Sequence, residues 1–453
     1  MMTKSNTASH FLIGVSALAY LALAYATPRY EFTQLLMLFA VAFGCYIYLV
    51  NSRLNVWYGI GAAVLFRLLF LFAEPALSDD YVRFIWDGRL LAEGQNPYLH
   101  LPQYFVSGDA PPLAGITTEL YQQLNSPAYY SIYPPVTQAV FWLSAALFTK
   151  NLVGSALVIR LVLLLAEVGS ILLLLRLLRR MALPDKDVLL YALNPLVILE
   201  LTGNLHFEAL MIFFLLISLH QMYYQRYLFS GIAFGLAIGT KLLPLMFLPF
   251  VLRRLGLHKF LKFGGAVLAT ILVVFIPLLS VEVLQHIFQS LDLYFQKFEF
   301  NASVYYLLRW IGFQLAGFNI IWVLGPLLSL TTLFVIVYLA TKKRLGSIRR
   351  LAGYMAAALT VYLFLATTVH PWYITTLLAL TTMSRFRFAF AWSGLAILSY
   401  AAYQNSTNSE RYGLIVLEYA LVFLWLMVEL YLYRQRQRHL ITEEEIKEKS
   451  GRA

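Results

Sequence analysis

Two adjacent carboxylates, Asp79 and Asp80, follow the third apolar stretch of the chain and begin its first long polar segment. Adjacent carboxylates repel each other unless a cation or a shared proton compensates them. One of the pair is therefore a candidate general base, and the other is a candidate orienting group or ligand for Mg²⁺ or Mn²⁺. The alternative is an interfacial amphipathic helix, with Tyr81, Phe84 and Trp86 among lipid headgroups and the charges in water.

The same polar segment carries further candidates. Arg83 and Asp87 are four residues apart, a spacing that allows them to pair on one face of a helix. Asn96 lies in a Gly-Gln-Asn-Pro-Tyr sequence, which is typical of a turn. Tyr98 and Tyr133 are either scaffold residues or the lining of a sugar site, because an aromatic face with a polar tip suits a ring of hydroxyl groups.

Other polar residues interrupt apolar stretches later in the chain. Lys241 falls on the side opposite to most basic clusters, so it either snorkels to the interface or holds the phosphate of a lipid-linked substrate. His206 and Glu208 form a weak metal site, and a structural hydrogen-bonded pair explains them equally well. His370 precedes Pro-Trp-Tyr and is more typical of an interfacial anchor than of a catalytic group.

The elements that position these residues are predicted to be membrane helices. Of 453 residues, 60% are hydrophobic and only 13% are charged, so no sizeable soluble domain can be present. Since one crossing takes about 20 apolar residues, the apolar stretches predict an all-α polytopic membrane protein with about 12–14 transmembrane helices. The net charge of +11 comes from basic clusters between apolar stretches, which indicates membrane orientation and no nucleic-acid partner.

The basic clusters also predict the organisation of the chain, because they are expected to face the cytoplasm. We expect one integral membrane domain over 1–453, in a bacterial inner membrane, with the site facing the periplasm or exterior. Its predicted parts are an outer catalytic loop with interfacial helices at 74–133, a re-entrant or interfacial helix at 134–149, a second outer loop at 281–309 and a cytoplasmic tail at 434–453.

Taken together and in this order, the polar motifs resemble those of bacterial GT-C glycosyltransferases. The most similar members are mannosyltransferase-like enzymes that use polyprenyl-phosphate-linked sugars, and the resemblance covers about residues 55–385. It rests on Asp79-Asp80 with Arg83, Trp86-Asp87-Gly88-Arg89, Gly94-Gln95-Asn96-Pro97-Tyr98, Tyr133-Pro134-Pro135, Asn204-Leu205-His206-Phe207-Glu208, Thr240-Lys241-Leu242-Leu243-Pro244 and His370-Pro371-Trp372-Tyr373.

The resemblance implies a GT-C-like helical bundle that moves a hexose, with mannose favoured, from polyprenyl phosphate to an acceptor hydroxyl with inversion. The acceptor is a glycan, a glycolipid or a protein, on the outer face of the membrane. Asp79 and Asp80 match the catalytic acidic motif and are the candidate metal ligands, and Lys241 matches a basic residue near the donor phosphate. With the candidates above, the predicted substrate-binding set is Arg83, Asp87, Arg89, Asn96, Tyr98, Tyr133, His206, Glu208, Lys241, His370 and Tyr373.

Two departures from the GT-C pattern are visible. Three apolar stretches precede the acidic loop, where many relatives have one, and the large soluble C-terminal domain of oligosaccharyltransferases is missing. The second departure argues against protein glycosylation by that route. The chain also lacks GxxxxGK[ST], GxGxxG and HExxH, so no nucleotide cofactor is expected.

Two other classes compete with a transferase. Apolar runs interrupted by a lysine also fit a transporter or flippase of a lipid-linked or anionic substrate. A transporter should place paired charges at the membrane midplane and show repeated halves, whereas the acidic residues here cluster in one loop. A polymerase or ligase of surface polysaccharide would share lipid-linked substrates but should carry arginine-rich outer loops, which are not evident.

Overall fold

The structure, a computed structural model, describes residues 4–342, 345–405 and 408–450, and most of these residues are helical. In this part of the chain there is no β-strand, and an isolated β-bridge joins Phe300 to Thr368. The α-helices are α1 (Lys4–Tyr25), α2 (Phe32–Asn51), α3 (Val56–Leu68), α4 (Asp80–Ala92), α5 (Thr118–Gln122), α6 (Pro135–Leu147), α7 (Leu152–Arg180), α8 (Val188–Ala192), α9 (Pro195–Val197), α10 (Glu208–Tyr223), α11 (Tyr227–Thr240), α12 (Leu248–Phe275), α13 (Val281–Lys297), α14 (Val304–Ala316), α15 (Ile321–Lys342), α16 (Ile348–Leu365), α17 (Ile374–Thr382), α18 (Phe388–Leu395) and α19 (Tyr412–Ser450).

Tighter and wider helical turns connect several of these helices. A π-helical turn follows α9 at Ile198–Gly203, and the remaining segments are 3-10 helices. The 3-10 segments are Pro102–Phe105, Asp185–Asp187, Leu243–Phe247, Ile276–Leu278, Pro371–Tyr373 and Ala396–Gln404.

Seven segments of the described chain are helices long and apolar enough to cross a membrane, or eight if the bent pair Pro195–Gly203 and Glu208–Tyr223 forms one span. The predicted class, an all-α polytopic membrane protein, is therefore confirmed. The seven are Thr7–Tyr25, Phe32–Asn51, Leu152–Arg180, Leu243–Leu278, Ile321–Thr341, Ile348–Leu365 and Tyr412–Gln435.

This count is lower than the expected 12–14 because several apolar stretches form short helices. At 1.5 Å per residue, the 13 residues of α3 extend about 20 Å, which is less than the ~30 Å hydrocarbon core. Nine of the 14 residues of α11 are buried inside the protein. A helix buried inside a protein and a helix that crosses the lipid both have apolar sequences. Hydropathy therefore does not distinguish short core helices from full crossings.

A buried ion pair ties together three helices of the first half. Arg67 of α3 donates to Glu167 of α7 at 2.9 Å, and both side chains are completely buried. The remaining donors of Arg67 reach backbone carbonyls, among them that of Ala192 at 2.8 Å, and the hydroxyl of Tyr191 donates to Glu167 at 2.7 Å. Because a buried pair is tolerated only when its hydrogen bonds are complete, this cluster fixes how α3, α7 and α8 pack.

A second buried arginine organises the bend before α10. The guanidinium of Arg160, on α7, donates to the carbonyls of Thr202 at 3.0 Å and Gly203 at 3.1 Å, at the end of the π-helical turn. Carbonyl groups at a helix end need such partners where water is excluded. The helix axes on either side of the bend differ by 111°, so residues 204–207, which include the polar Asn204 and His206, lie at a sharp turn.

The two polar segments predicted as loops meet at one end of the helical bundle. The side chain of Asn96 donates to the carbonyl of Leu278 at 2.8 Å, and His286 of α13 hydrogen-bonds the carbonyl of Tyr98 at 2.8 Å. Phe300 then pairs with the chain between α16 and α17, where the amide of Val369 donates to its carbonyl at 2.8 Å. This end of the bundle carries the acidic pair.

Candidate active site

The acidic pair lies at the N-terminal end of α4, where Asp79 precedes the helix and Asp80 is its first residue. The partial positive charge of a helix N-terminus favours carboxylates at this position. Oδ2 of Asp79 also forms a 2.7 Å salt bridge with Arg29, whose guanidinium lies 4.7 Å from the centre of the Tyr403 ring. An arginine from the connection between α1 and α2 therefore relieves the repulsion between the two carboxylates.

Asp80 has one oriented oxygen and one open oxygen. Its Oδ1 accepts a hydrogen bond from the side-chain amide of Asn125 at 2.7 Å. Among the described residues no donor contacts its Oδ2, and the side chain is only partly buried. A carboxylate held on one side and open on the other has the geometry that a general base needs.

The predicted divalent cation has too few protein ligands at this position. Within the described part of the chain, no group of three or more His, Cys, Asp or Glu side chains is arranged to hold a metal ion. Asp79 instead has the cationic partner Arg29. The described side chains around the acidic pair therefore do not form a complete metal site, and dependence on a divalent cation stays a prediction.

Arg83 and Asp87 form the salt bridge that their spacing predicted, with Nε and Oδ1 2.7 Å apart, and both side chains are buried. The other oxygen of Asp87 accepts hydrogen bonds from the hydroxyl of Ser131 and from Gln138, the latter at 3.0 Å. Trp86 is fully buried as well, so α4 is a core helix and the alternative of an interfacial helix in lipid headgroups is wrong for it. The pair therefore attaches α4 to the segment before α6 and to α6 itself.

Three other predicted substrate ligands also make contacts within the protein. Arg89 donates to the carbonyl of Gly115 at 2.6 Å, Asn96 contacts the segment after α12, and the hydroxyl of Tyr98 donates to the carbonyl of Tyr133. Burial lowers the pKa of the Arg89 guanidinium from its ordinary value. These contacts shape the loop, and a direct role of the three residues in substrate binding stays a prediction.

A second polar group forms around Lys241, directly after α11. Its ammonium donates to Oε1 of Glu208, the first residue of α10, and lies 5.5 Å from the centre of the Tyr373 ring. The Glu208 side chain is 3% exposed and that of Lys241 is 26% exposed. Oε2 of Glu208 is buried and has no hydrogen-bond partner among the described residues. This pair therefore has an unsatisfied acceptor and a cation that reaches an accessible surface.

Aromatic rings stack beside this ion pair. The indole of Trp372 lies between two imidazoles, with its ring centre 3.7 Å from that of His206 and 4.3 Å from that of His370. Phe300 continues the stack on the other face of His370, at 4.8 Å. The His-Pro-Trp-Tyr motif thus joins the bend before α10 to the second polar segment, and His206 and His370 come together as predicted site residues.

Glu200 connects the ring stack to the acidic loop. Its side chain is fully buried, accepts a 2.6 Å hydrogen bond from the Tyr400 hydroxyl, and lies 3.4 Å from Nε2 of His206. Asn204 donates to the same carboxylate at 3.1 Å and accepts from the backbone amide of Leu77 at 3.2 Å. Since Leu77 is two residues before Asp79, this chain of hydrogen bonds positions the acidic pair relative to the bend.

His370 is electrically neutral in this setting. Burial lowers the pKa of its imidazole to about 3, and the nearby His206 and Lys241 act in the same direction. Its Nδ1 atom is buried without a partner among the described residues. His370 can therefore offer a hydrogen bond to a bound group but no positive charge, which leaves Lys241 as the cation on this side of the site.

Tyr133 interacts electrostatically with residues of both polar groups. Burial raises the pKa of its hydroxyl well above the ordinary value, and the carboxylates of Asp80, Asp87 and Glu208 raise it further, against the effect of Arg83. One hydroxyl is thus within electrostatic reach of both the acidic loop and the Glu208–Lys241 pair. The structure brings the predicted residues Asp80, Tyr133, Glu208 and, through Glu208, Lys241 into one neighbourhood.

An apolar cavity of about 250 Å³ opens nearby, between the start of α12, α15 and α16. Its lining is mostly apolar, and Thr367 and Thr368, which also line it, directly precede Val369 and His370 in the chain. A cavity of this chemistry can accept a hydrocarbon chain, and His370 links its Thr367–Thr368 side to the Lys241 side of the site.

Sequence reasoning missed four residues of this arrangement, namely Arg29, Asn125, Glu200 and Trp372. Arg29 had a signal, because it lies in a connection predicted to be on the outer side, where a basic residue is as unexpected as Lys241. Glu200, inside an apolar run, had a similar signal. Asn125 had none, since an asparagine in a polar loop is ordinary.

One family comparison decides the class of the protein. The sequence model of the N-terminal domain of the alpha-(1->6)-mannopyranosyltransferase family, MptA_B, matches residues 16–255, which is more than half of the 453 residues. The chain belongs to this family. It is an integral membrane mannosyltransferase, and the prediction of a mannosyltransferase-like glycosyltransferase is confirmed. No curated protein sequence matches the chain significantly.

The matched region of the mannosyltransferase includes much of the described site. It contains the acidic loop, the bend at 204–207 and Lys241, whereas His370, Trp372 and Tyr403 lie beyond it. Membership of a mannosyltransferase family favours a transferase over the two alternative functions, a transporter and a polysaccharide polymerase or ligase. The sugar donor and the acceptor are its substrates at the membrane.

Proposed function

We propose that this mannosyltransferase moves a mannosyl group from a polyprenyl-phosphate donor to an acceptor hydroxyl in a single displacement with inversion. The observation that carries the proposal is that an oriented carboxylate, Asp80, and Glu208, the partner of the accessible cation Lys241, both interact electrostatically with Tyr133. Such a displacement needs one base for the nucleophile and one charge for the leaving group. The site supplies both.

Asp80 acts as the general base in this proposal. Its open Oδ2 accepts the proton of the acceptor hydroxyl as that oxygen forms a bond to C1 of the mannosyl group. The bond between C1 and the phosphate oxygen breaks at the same time, and its electron pair leaves with polyprenyl phosphate. The hydrogen bond from Asn125 to Oδ1 keeps the carboxylate in position during the proton transfer.

Lys241 stabilises the departing phosphate. Its ammonium already contacts Glu208, so the donor phosphate shares the cation with a carboxylate and approaches the side that remains exposed. The neutral imidazole of His370 adds a hydrogen-bond donor at the same end. Phosphate is a good leaving group, so no general acid is required.

The anomeric configuration of the donor follows from the proposed inversion. The family name specifies an alpha bond, and one inverting displacement produces an alpha product only from a beta-linked donor. The name also specifies a bond to a 6-hydroxyl, which favours a glycan or glycolipid over a protein hydroxyl as acceptor. The first statement rests on the single-displacement mechanism, and the second rests on the family name alone.

The location of the reaction follows from the proposed donor and the basic clusters. The apolar cavity beside Thr367 and Thr368 accommodates the first part of the polyprenyl chain. The basic clusters of the chain belong on the cytoplasmic side by the positive-inside rule, and the acidic pair lies at the opposite end. We therefore place the site at the periplasmic or outer face of a bacterial inner membrane, in the loop region 74–133.

The test is to supply the purified enzyme with short-chain polyprenyl phosphate carrying beta-linked or alpha-linked mannose, together with a mannose-containing acceptor. We expect release of polyprenyl phosphate and a new alpha-(1->6) bond with the beta donor only. Turnover with the alpha donor and retention of configuration would contradict the mechanism. Activity with a nucleotide sugar alone would contradict the donor class, and inhibition by EDTA would show that a metal is needed.

A further inference from the structure

Four arginines, one histidine and one tyrosine line an open pocket of about 570 Å³. No step of the proposed mannosyl transfer uses this pocket. The pocket lies between the last turns of α7 and the connection from α10 to α11. Its lining residues are Arg176, Arg179, Arg180, His220, Tyr224 and Arg226.

This pocket is at the end of the molecule opposite to the candidate active site. Arg160 of α7 holds the bend beside His206, and Arg180 is 20 residues further along the same helix. At 1.5 Å per residue, the two arginines are about 30 Å apart along the helix axis, which is the thickness of a membrane core. α10 likewise runs from Glu208 in the site to Tyr223 beside the pocket.

The charge of the pocket is only partly compensated. Arg179 pairs with Asp185 at 2.8 Å. Within the described chain, no carboxylate lies at salt-bridge distance from Arg176, Arg180 or Arg226. Arg180 and Arg226 both approach the ring of Tyr224, at 5.5 and 5.9 Å from its centre. Cations gathered in this way repel one another, so an anion bound between them lowers the energy of the arrangement.

The surface next to the pocket is apolar and exposed. Leu228 and Phe229, at the start of α11, are 57% and 58% exposed, and Tyr223 is 38% exposed. α7 and α10 end here, about 30 Å along α7 from the bend, so the thickness of a membrane core and the positive-inside rule put this end at the level of the lipid headgroups. A ligand with phosphate at one end and hydrocarbon at the other matches both surfaces, whereas a free phosphate matches only the arginines.

We propose that this pocket binds the phosphodiester headgroup of an anionic phospholipid. Arginine suits this role because its planar guanidinium makes paired hydrogen bonds to phosphate oxygens. The acyl chains then lie along Tyr223, Leu228 and Phe229. The site is separate from that of the polyprenyl-phosphate donor and does not depend on the proposed mechanism.

The experiment is native mass spectrometry of the full chain in detergent, titrated with phosphatidylglycerol, phosphatidylcholine or soluble glycerol phosphate. The test variant is Arg176→Gln/Arg180→Gln/Arg226→Gln. The control is Arg253→Gln/Lys262→Gln/Arg434→Gln, which removes three exposed charges outside the pocket. The single variant Arg226→Gln is a second test in case the triple variant misfolds. It is expected to fold, since Arg226 is exposed in the connection between α10 and α11.

We expect the native chain and the control to retain phosphatidylglycerol in preference to phosphatidylcholine. At roughly fivefold per arginine, the triple variant should lose about 100-fold in affinity, and Arg226→Gln alone about fivefold. An equal loss in the control would overturn the proposal, because the binding would then reflect overall charge. Binding of glycerol phosphate as tight as that of the lipid would overturn the lipid assignment.

Discussion

Two carboxylate–cation pairs of this mannosyltransferase differ in how completely they are satisfied. In the Arg83–Asp87 pair both side chains are buried, and both oxygens of Asp87 accept hydrogen bonds. In the Lys241–Glu208 pair the ammonium is partly exposed, and Oε2 of the buried carboxylate has no partner in the part of the chain that the structure describes. The first pair is complete without a ligand, whereas the second has capacity for one.

The same contrast separates the three aspartates that flank or lie within α4. Asp79 is neutralised by Arg29, Asp87 is enclosed by its network, and Asp80 is the one of these three that combines an orienting hydrogen bond with an open oxygen. A complete set of hydrogen-bond partners, more than the residue type, therefore distinguishes a structural carboxylate from a catalytic one among these three residues. Substitutions that conserve shape and remove charge test this distinction directly.

The largest effect is expected for Asp80→Asn. An amide of the same shape can no longer take the acceptor proton, so kcat should fall by about 10²–10⁴-fold while the fold is retained. Release of polyprenyl phosphate per enzyme measures the change. Asp109→Asn is the matched control, because Asp109 is an exposed carboxylate of the same loop. Full activity in Asp80→Asn would remove Asp80 from the catalytic role.

Asp87→Asn should act on stability instead. It leaves Arg83 buried without a charged partner, which costs about 3–5 kcal/mol and lowers the melting temperature in detergent. The enzyme that remains folded should keep a kcat and KM within a few-fold of the native values. Asp185→Asn is the control, since it removes the exposed partner of Arg179 and should cost about 0–1 kcal/mol. A stable but inactive Asp87→Asn enzyme would place Asp87 in the site.

Lys241→Gln is expected to slow transfer by about 100-fold, because the departing phosphate loses its cation. The substitution also strands the buried Glu208, so its effect on folding must be separated from its effect on chemistry. The double variant Lys241→Gln/Glu208→Gln removes the unpaired charge and should recover thermal stability without recovering kcat. Recovery of both would show that Lys241 only compensates Glu208. Lys150→Gln, an exposed lysine, provides the control.

Much of the fold class and part of the site could be predicted from the sequence. Composition gives the polytopic helical class, and the order of the motifs gives the transferase family. The i,i+4 spacing gives the Arg83–Asp87 salt bridge. The interfacial alternative for α4 and the count of 12–14 crossings failed for one physical reason: α4 and short helices such as α11 carry apolar residues that face protein, and hydropathy does not distinguish protein from lipid.

The partners of the acidic pair were beyond the reach of local patterns. Arg29 precedes Asp79 by 50 residues and Asn125 follows Asp80 by 45, so only the packing of α1, α2 and the long loop brings them together. Glu200 contacts Tyr400 across 200 residues. Spacing rules describe neighbours on one helix or strand, and these contacts join separate elements.

The smallest effect is expected for Asn125→Ala, which sharpens the comparison at the level of one hydrogen bond. Asn125 touches Asp80 and acts through it, so its loss should let the carboxylate rotate and lower kcat by about tenfold, with KM little changed. Asn125→Gln keeps the amide donor and should restore part of the rate, whereas Gln123→Ala, in the same stretch, should have no effect. If KM rises and kcat stays constant, Asn125 binds substrate itself; if stability falls and glutamine does not rescue the rate, the residue only supports the loop.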